Sequence, residues 1–196
     1  MIEHQIKKLE NPERIRELNP TETLAKAGLK ENMIVCDIGA GTGIFSLPAA
    51  KITDKEVYAL EIADKMIDYL EENKKKQKID NLKIIKVQGD KLPSEDQSCH
   101  LAIMVTVYHE IENKIKMLEE IKRILKPQGS LLIVEFHKKT TKMGPPMEHR
   151  ISENEVKDNL LITGFSLTKE ILNEENFYGH LYTLMKKENT KCKHSL

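Results

Sequence analysis

Val35-Cys36-Asp37-Ile38-Gly39-Ala40-Gly41-Thr42-Gly43 is a short apolar run that reaches a carboxylate and then passes into three alternate glycines. Met33 to Ile38 is rich in apolar and β-branched residues, the pattern of a strand buried on both faces. Ile44 to Ile52 then sets Ile44, Leu47 and Ala50 on one side of a helix. Between them, residues without a Cβ let the backbone turn sharply and let a ligand approach closely. Strand, glycine turn and helix together form a nucleotide-type cradle.

Outward from that stretch, strands and helices alternate. Glu56 to Glu61 reads as a second buried strand ending in a carboxylate, and Asp64 caps a helix with Met66, Ile67 and Leu70 on its apolar side. Its later half, Glu71 to Lys78, is nearly all charged and reads as a solvated face. Leu82 to Val87 is a third strand, closed by Gly89-Asp90, and Cys99 to Val107 a fourth, followed by Tyr108-His109-Glu110. A helix striped by Ile115, Leu118, Ile121, Ile124 and Leu125 stops at Pro127 and Gly129, and Ser130 to Phe136 is a fifth strand. This spacing predicts an α/β, Rossmann-like, doubly wound parallel sheet with right-handed crossovers. Phe165 to Leu172 and Phe177 to Met185, joined by Asn173-Glu174-Glu175-Asn176, add a C-terminal antiparallel hairpin.

Ahead of the first strand, Asn11-Pro12 and Asn19-Pro20 each place a capping residue before a proline at a first helical position, with Glu22 as capping-box partner of Asn19. Two short helices are expected there, as a packing extension or a lid. Lys138 to Arg150 is a long polar loop with Gly144-Pro145-Pro146 at its middle, read either as a partial lid or as a rigid connection. Ser152 and Glu155 form a capping box for a helix ending near Thr163-Gly164.

At 196 residues the chain holds one domain, and 31 basic residues balance 31 acidic ones. No overall field draws nucleic acid, so no nucleic-acid partner is expected. The longest apolar runs, Leu101 to Val107 and Leu131 to Val134, are far too short to span a membrane, and a cytoplasmic protein is expected. The three cysteines, Cys36, Cys99 and Cys192, have no paired spacing, which argues against a disulfide framework or a zinc knuckle. Oligomeric state leaves no trace in the sequence.

In open parallel sheets ligands lie outside the carboxyl ends of the strands, where strand order reverses. Asp37, Glu61, Asp90 and the Thr106 to His109 segment fall at such ends. Ionised carboxylates only accept hydrogen bonds, which suits Glu61 to a ribose diol and Asp90 to an adenine amine. The alternative of a nicotinamide-dependent oxidoreductase wants a glycine where Ile44 stands, and Asp37 would repel its pyrophosphate. A non-catalytic cofactor-binding module is the other alternative.

Val35 to Gly43, Glu61, Gly89-Asp90 and Leu125-Lys126-Pro127-Gln128-Gly129-Ser130-Leu131-Leu132-Ile133 resemble the successive motifs of class I S-adenosylmethionine-dependent methyltransferases. Within that superfamily the chain is similar to the small-molecule branch of the ubiquinone/menaquinone-biosynthesis enzymes (methyltransferase type 11), over roughly residues 30 to 186. The resemblance implies S-adenosyl-L-methionine as cofactor, S-adenosylhomocysteine as product and a small-molecule acceptor. The chain is accordingly expected to divide into an N-terminal helical extension over 1–32, an S-adenosylmethionine-binding domain over 33–187 and a flexible tail over 188–196.

Residue by residue, it implies that Asp37, Gly39 and Gly41, with Gly43 completing the loop, contact the amino-acid part of the cofactor. Glu61 would hold the ribose hydroxyls, Ile62 and Met66 would lie against the adenine, Asp90 would take its amine and Lys91 would offer a backbone N–H. Thr106 and Val107 would lie under the methionyl portion. His109 is the expected catalytic base if the acceptor carries a proton, since an imidazole titrates near neutrality; packing of the turn is its competing role. Tyr108, His137, His149 and Arg150 are weaker candidates of the same kind.

Amino-methylating enzymes acting on adenine or glutamine carry Asp or Asn, two prolines and an aromatic after the fourth strand, where this chain has Val105-Thr106-Val107-Tyr108. An arsenite enzyme needs thiols that meet, which the three cysteine positions disfavour. No cluster of oxygen ligands announces a metal of the catechol-enzyme type, and no metal is expected.

Overall fold

The computed structural model describes residues 2–89 and 91–185. Asp90, Cys192 and the tail expected over 188–196 lie outside the described residues.

Three helices, α1 (Ile2–Leu9), α2 (Pro12–Leu18) and α3 (Pro20–Lys26), precede the sheet, one more than the sequence signals. Asn11 caps α2 as expected, its side chain accepting from Glu13 N at 2.8 Å and Arg14 N at 3.4 Å. Asn19 does not cap α3. It adopts a left-handed conformation that ends α2, its carbonyl takes Thr23 N at 2.9 Å, and its amide is turned to Glu22 as a donor. With one linking residue between the helices, the chain must reverse at Asn19 itself, which removes the extended geometry that a side-chain cap needs.

Among the described residues, seven strands form one sheet in the order β3-β2-β1-β4-β5-β7-β6. These are β1 (Val35–Ile38), β2 (Val57–Glu61), β3 (Leu82–Lys86), β4 (Cys99–Val105), β5 (Leu125–Phe136), β6 (Phe165–Asn173) and β7 (Phe177–Leu184). The first five pair in parallel, and β7 enters antiparallel between β5 and β6, as the alternation and the terminal hairpin predict. β1 sits between β2 and β4, so the order reverses there and opens a crevice at the carboxyl ends of both.

Helices α4 (Ser46–Ile52) and α5 (Asp64–Gln77) join α2 and α3 on one face, packing Leu18, Leu24, Leu47 and Leu70 against Val35, Val57 and Ile103. Helices α6 (Lys114–Ile124) and α7 (Glu153–Ile162) cover the other face, where Leu118, Ile121, Val156 and Leu160 meet Met104, Leu131 and Tyr182. β1 is buried at all four positions, as a central strand covered on both sides must be.

Two boundaries move. Asp64 is the first residue of α5, not its cap, and pairs with Lys86 Nζ at 2.6 Å. The helix expected to stop at Pro127 and Gly129 ends at Ile124, because Leu125 already pairs with Cys99 and the strand register breaks before Leu101. That break lets the strand accommodate Pro127, which has no N–H for the ladder.

The 138–150 loop is stapled from within. The Arg150 guanidinium donates to Pro145 O (2.8 Å), His137 O (2.9 Å), Lys139 O (3.0 Å), Thr141 Oγ1 (2.6 Å) and Met143 O (3.2 Å), and lies over the Phe136 ring. Such a planar donor fork satisfies several loop carbonyls at once, which favours the rigid-connection reading. No helix among the described residues is long and apolar enough to cross a membrane.

Candidate active site

The end of the crevice at β1 and β2 is built on two carboxylates. Asp37 is 3% exposed, and its Oδ2 accepts from Ser46 Oγ at 2.5 Å. Burial, with the Glu61 charge adding to it, lifts its carboxyl from 3.8 to about 7 against the pull of that hydroxyl. Glu61, at the end of β2, folds back onto the glycine loop. Its Oε2 accepts from Gly41 N at 2.8 Å and its Oε1 from Ile62 N and Ala63 N at 2.8 and 3.0 Å. Three of its roughly four acceptor positions are therefore filled by backbone N–H groups.

Gly39 has φ +74°, and a Cβ there would stand 2.5 Å from Val107 Cγ2, so this glycine lets the loop after β1 touch the segment after β4. Gly43 does something else. A Cβ there would collide with Leu70 of α5, so its bare backbone serves helix packing behind the loop. Ile62, 72% exposed, leaves an apolar side chain open beside Glu61, and Met66 is buried one turn on. Lys91 is exposed.

Two residues that the sequence reading did not single out close this end. Arg14 of α2 is 4% exposed and donates to Leu9 O at 3.0 Å and to Thr106 Oγ1 at 2.8 Å. Burial lowers its guanidinium to about 10, with Glu135 pulling the other way. Glu17, also buried, accepts from Asn176 N at 3.0 Å and Asn176 Nδ2 at 2.6 Å, and Glu10 accepts from Tyr69 Oη at 2.7 Å. Helices α1 and α2 are thus strapped across the crevice. Leu9, Arg14, Asp37, Gly39, Gly41 and Val105 enclose about 30 Å³, room for a water or two and far short of a nucleoside. A larger apolar groove of about 440 Å³ between α2, α3 and α4 includes neither carboxylate in its lining.

The second end of the crevice follows β4. Thr106 has φ +56°, a left-handed conformation rare for a β-branched residue, and is held by its N–H to Val134 O at 2.7 Å and by Arg14. His109 follows in a single 3₁₀ turn, Tyr108–Glu110. Its Nδ1 lies 2.8 Å from Glu135 Oε2 and its backbone N donates to Glu135 Oε1 at 3.1 Å. Burial pulls this imidazole down, but the hydrogen bond and charge of Glu135 outweigh it, and the ring titrates above its ordinary value. Glu135, 1% exposed near the end of β5, is the third residue missed. A signal for it exists: a lone acid inside Leu131-Leu132-Ile133-Val134-Glu135-Phe136 must find a partner once that strand is buried.

The structure thus brings Asp37, Gly39, Gly41, Glu61, Thr106, Val107 and His109 to the ends of β1, β2 and β4, and removes the weaker candidates. Tyr108 is fully buried and its phenol is pushed up to about 12 by burial. His137 points Nε2 at Glu174 O, 3.1 Å away, Arg150 staples its loop and His149 is exposed. One sulfur expectation needs correcting. Cys36 and Cys99 do meet, since a hydrogen bond to Cys99, together with burial, raises the Cys36 thiol. Both are fully buried, because β1 and β4 are adjacent central strands, so the pair lies inside the sheet core.

A methyltransferase-domain family model matches residues 29–190. The chain belongs to this family. It is 30% identical to a SAM-dependent methyltransferase of Aquifex aeolicus, whose crystal structure superposes with a TM-score of 0.87 over 93% of this chain and 98% of that one. Among curated relatives, a ubiquinone/menaquinone biosynthesis C-methyltransferase of a Marinomonas species is 28% identical over 127 residues, covering 63% of this chain and 51% of the relative. A ribosomal protein L11 methyltransferase of Thermotoga petrophila is 29% identical over 120 residues, covering 59% and 43%. The chain spans about half the length of the curated relatives it matches.

The class I methyltransferase domain therefore has S-adenosyl-L-methionine as its cofactor, and the residues present fit it. A buried carboxyl held by the hydroxyl and backbone of Ser46 suits a cationic amino acid, and the cradle at Gly39 leaves no Cβ in the way. The nicotinamide alternative is not favoured.

Proposed function

We propose that the protein transfers a methyl group from S-adenosyl-L-methionine to a small acceptor that carries a proton, with His109 as general base and Glu135 as the residue that positions it. The observation that carries this reading is the His109 Nδ1 to Glu135 Oε2 contact of 2.8 Å beside the Thr106 to Val107 segment. A buried carboxylate on Nδ1 orients the ring and leaves Nε2 to take a proton, the arrangement in which an imidazole serves as base. The sulfonium supplies an already activated methyl group when the cofactor is bound, so the protein's further task is alignment and exclusion of water.

In this reading Asp37 accepts from the cofactor ammonium and Arg14, a buried cation at the same end, faces its carboxylate. Glu61 takes the ribose diol, which requires Gly41 N–H to leave Oε2, because the two hydroxyls need more acceptor positions than Glu61 has free. Ile62 and Met66 cover the adenine, Asp90 and the Lys91 N–H hold its edge, and Thr106 and Val107 support the methionyl chain. Gly39 and Gly41 provide the close approach, with Gly43 behind them. Since the strapped crevice holds only about 30 Å³, α1 and α2 move aside for the cofactor and close again over it.

Incubation with methyl-labelled cofactor and a cell extract split into small-molecule and macromolecular fractions tests the acceptor class. Label in the small-molecule fraction, lost in His109→Asn, is the expected result; label on protein or nucleic acid alone would overturn it. Calorimetry with S-adenosylhomocysteine tests the donor half: binding indifferent to Glu61→Ala would remove that assignment.

A further inference from the structure

Away from the crevice, on the sheet face that α7 covers, a buried histidine meets two carboxylates from separate elements. His180 of β7 is 3% exposed and lies directly opposite Glu170 of β6 in the antiparallel ladder, so both side chains stand on one face of the sheet. Glu153, the first residue of α7, comes down on that pair, with Oε1 3.5 Å from His180 Nε2. One donor atom from each of Glu153, Glu170 and His180 lies within 4.8 Å of the other two.

The ring is oriented for coordination. His180 Nδ1 is 3.3 Å from Tyr182 Oη, a partner buried beside it. In the tautomer that donates Nδ1–H to that oxygen, the lone pair is on Nε2, which stands 3.5 Å from Glu153 Oε1. A histidine whose far nitrogen is fixed by a buried oxygen, and whose near nitrogen faces acids from two other elements, has the wiring of a metal ligand.

We infer that Glu153, Glu170 and His180 form a site for a divalent cation of the zinc class, with water completing the coordination. The donor set decides the class: calcium and magnesium prefer all-oxygen shells, whereas one imidazole with two carboxylates suits zinc. Donors about 2 Å from zinc stand about 3.4 Å apart in a tetrahedron, so adjustment of two glutamate side chains closes the present spacing. Glu170 is exposed and provides the entry path. Lys157 is the resident competitor, its Nζ 2.6 Å from Glu153 Oε1. The metal would tie the start of α7 to the edge hairpin. The three positions are scattered through the sequence on a helix and two strands, so no ligand spacing announces them.

The test is zinc titration of the chelator-stripped full chain against a chromophoric chelator, repeated with magnesium and followed by cobalt absorption spectra. One equivalent of zinc, a visible cobalt spectrum without a thiolate charge-transfer band, and no response to magnesium are expected. Glu170→Gln, an exposed substitution, should weaken zinc by at least ~10-fold. Lys157→Ala should tighten it. Affinity unchanged in Glu170→Gln, or absence of stoichiometric binding, would overturn the site, as would loss of binding in a Cys192→Ser/His194→Ala control that leaves all three ligands in place.

Discussion

Asp37 near the end of β1 and Glu135 near the end of β5 are almost equally buried, at 3% and 1% exposure, yet their surroundings differ in kind. Asp37 has a hydroxyl as its side-chain partner and its carboxyl rises to about 7. Glu135 accepts from the His109 and Phe136 backbones and faces the His109 ring, which it lifts above its ordinary value. The β1 end therefore holds an acid whose side-chain partner is a hydroxyl and not a cation, whereas the β5 end holds an acid already matched to a base. One is suited to a charged ligand that arrives from outside and the other to a proton that moves in place.

The largest effect should come from the matched end. His109→Asn is expected to lower kcat by about 10²–10⁴-fold while the cofactor Kd stays put; steady-state kinetics with the acceptor found by labelling checks both. A fall in affinity with kcat intact would place His109 in the donor half instead.

At the other end, Asp37→Asn should weaken S-adenosylhomocysteine by about 10–100-fold, the loss of a charge-assisted hydrogen bond. Stability should move the opposite way. Folding lifts the carboxyl from 3.8 to about 7, so the folded state keeps a proton that the unfolded chain releases. Wild-type stability therefore falls as pH climbs through that window, and the penalty stands in full above it. The ligand-free variant should melt higher than wild type at pH 8, with the gap shrinking toward pH 4. A lower melting temperature at pH 8 would show that Asp37 is matched after all.

Glu135→Gln isolates the pairing itself. Without the Glu135 charge and its hydrogen bond, burial is opposed only by the weaker pull of Glu110, and the His109 titration followed by NMR should fall relative to the wild type. In the wild type the same pairing stabilises the fold below the unfolded-state value and is lost as pH rises through the folded one. The rate profile should shift with the imidazole; a profile that stays in place would deny His109 the role of base.

The smallest effect concerns the cover over the donor end. Asn11→Ala removes the cap of α2 and should cost about 1 kcal/mol of stability. If α2 must move for the cofactor to enter, stopped-flow binding should show faster association in this variant, and an unchanged rate would argue that the cover opens elsewhere.

Much of this was legible in the chain. Asp37 and Glu61 stand where apolar runs meet turn residues, and the strand–helix alternation is a local pattern that survives folding, because a buried parallel sheet demands near-continuous hydrophobic strands. The sequence by itself determined the sheet, the carboxyl-end crevice and the two carboxylates at the ends of β1 and β2. Arg14 and Glu17 were silent because α2 is seven residues long and mostly charged or proline, so no periodicity says which of its charges turns inward. Nor does chain order say that Glu135 meets His109, that Gly43 packs on Leu70, or that Glu153, Glu170 and His180 converge. Those pairings depend on distances between elements remote in sequence. Only the tertiary structure decides them, because a buried charge is tolerated only beside its partner, and the packing of whole elements places that partner.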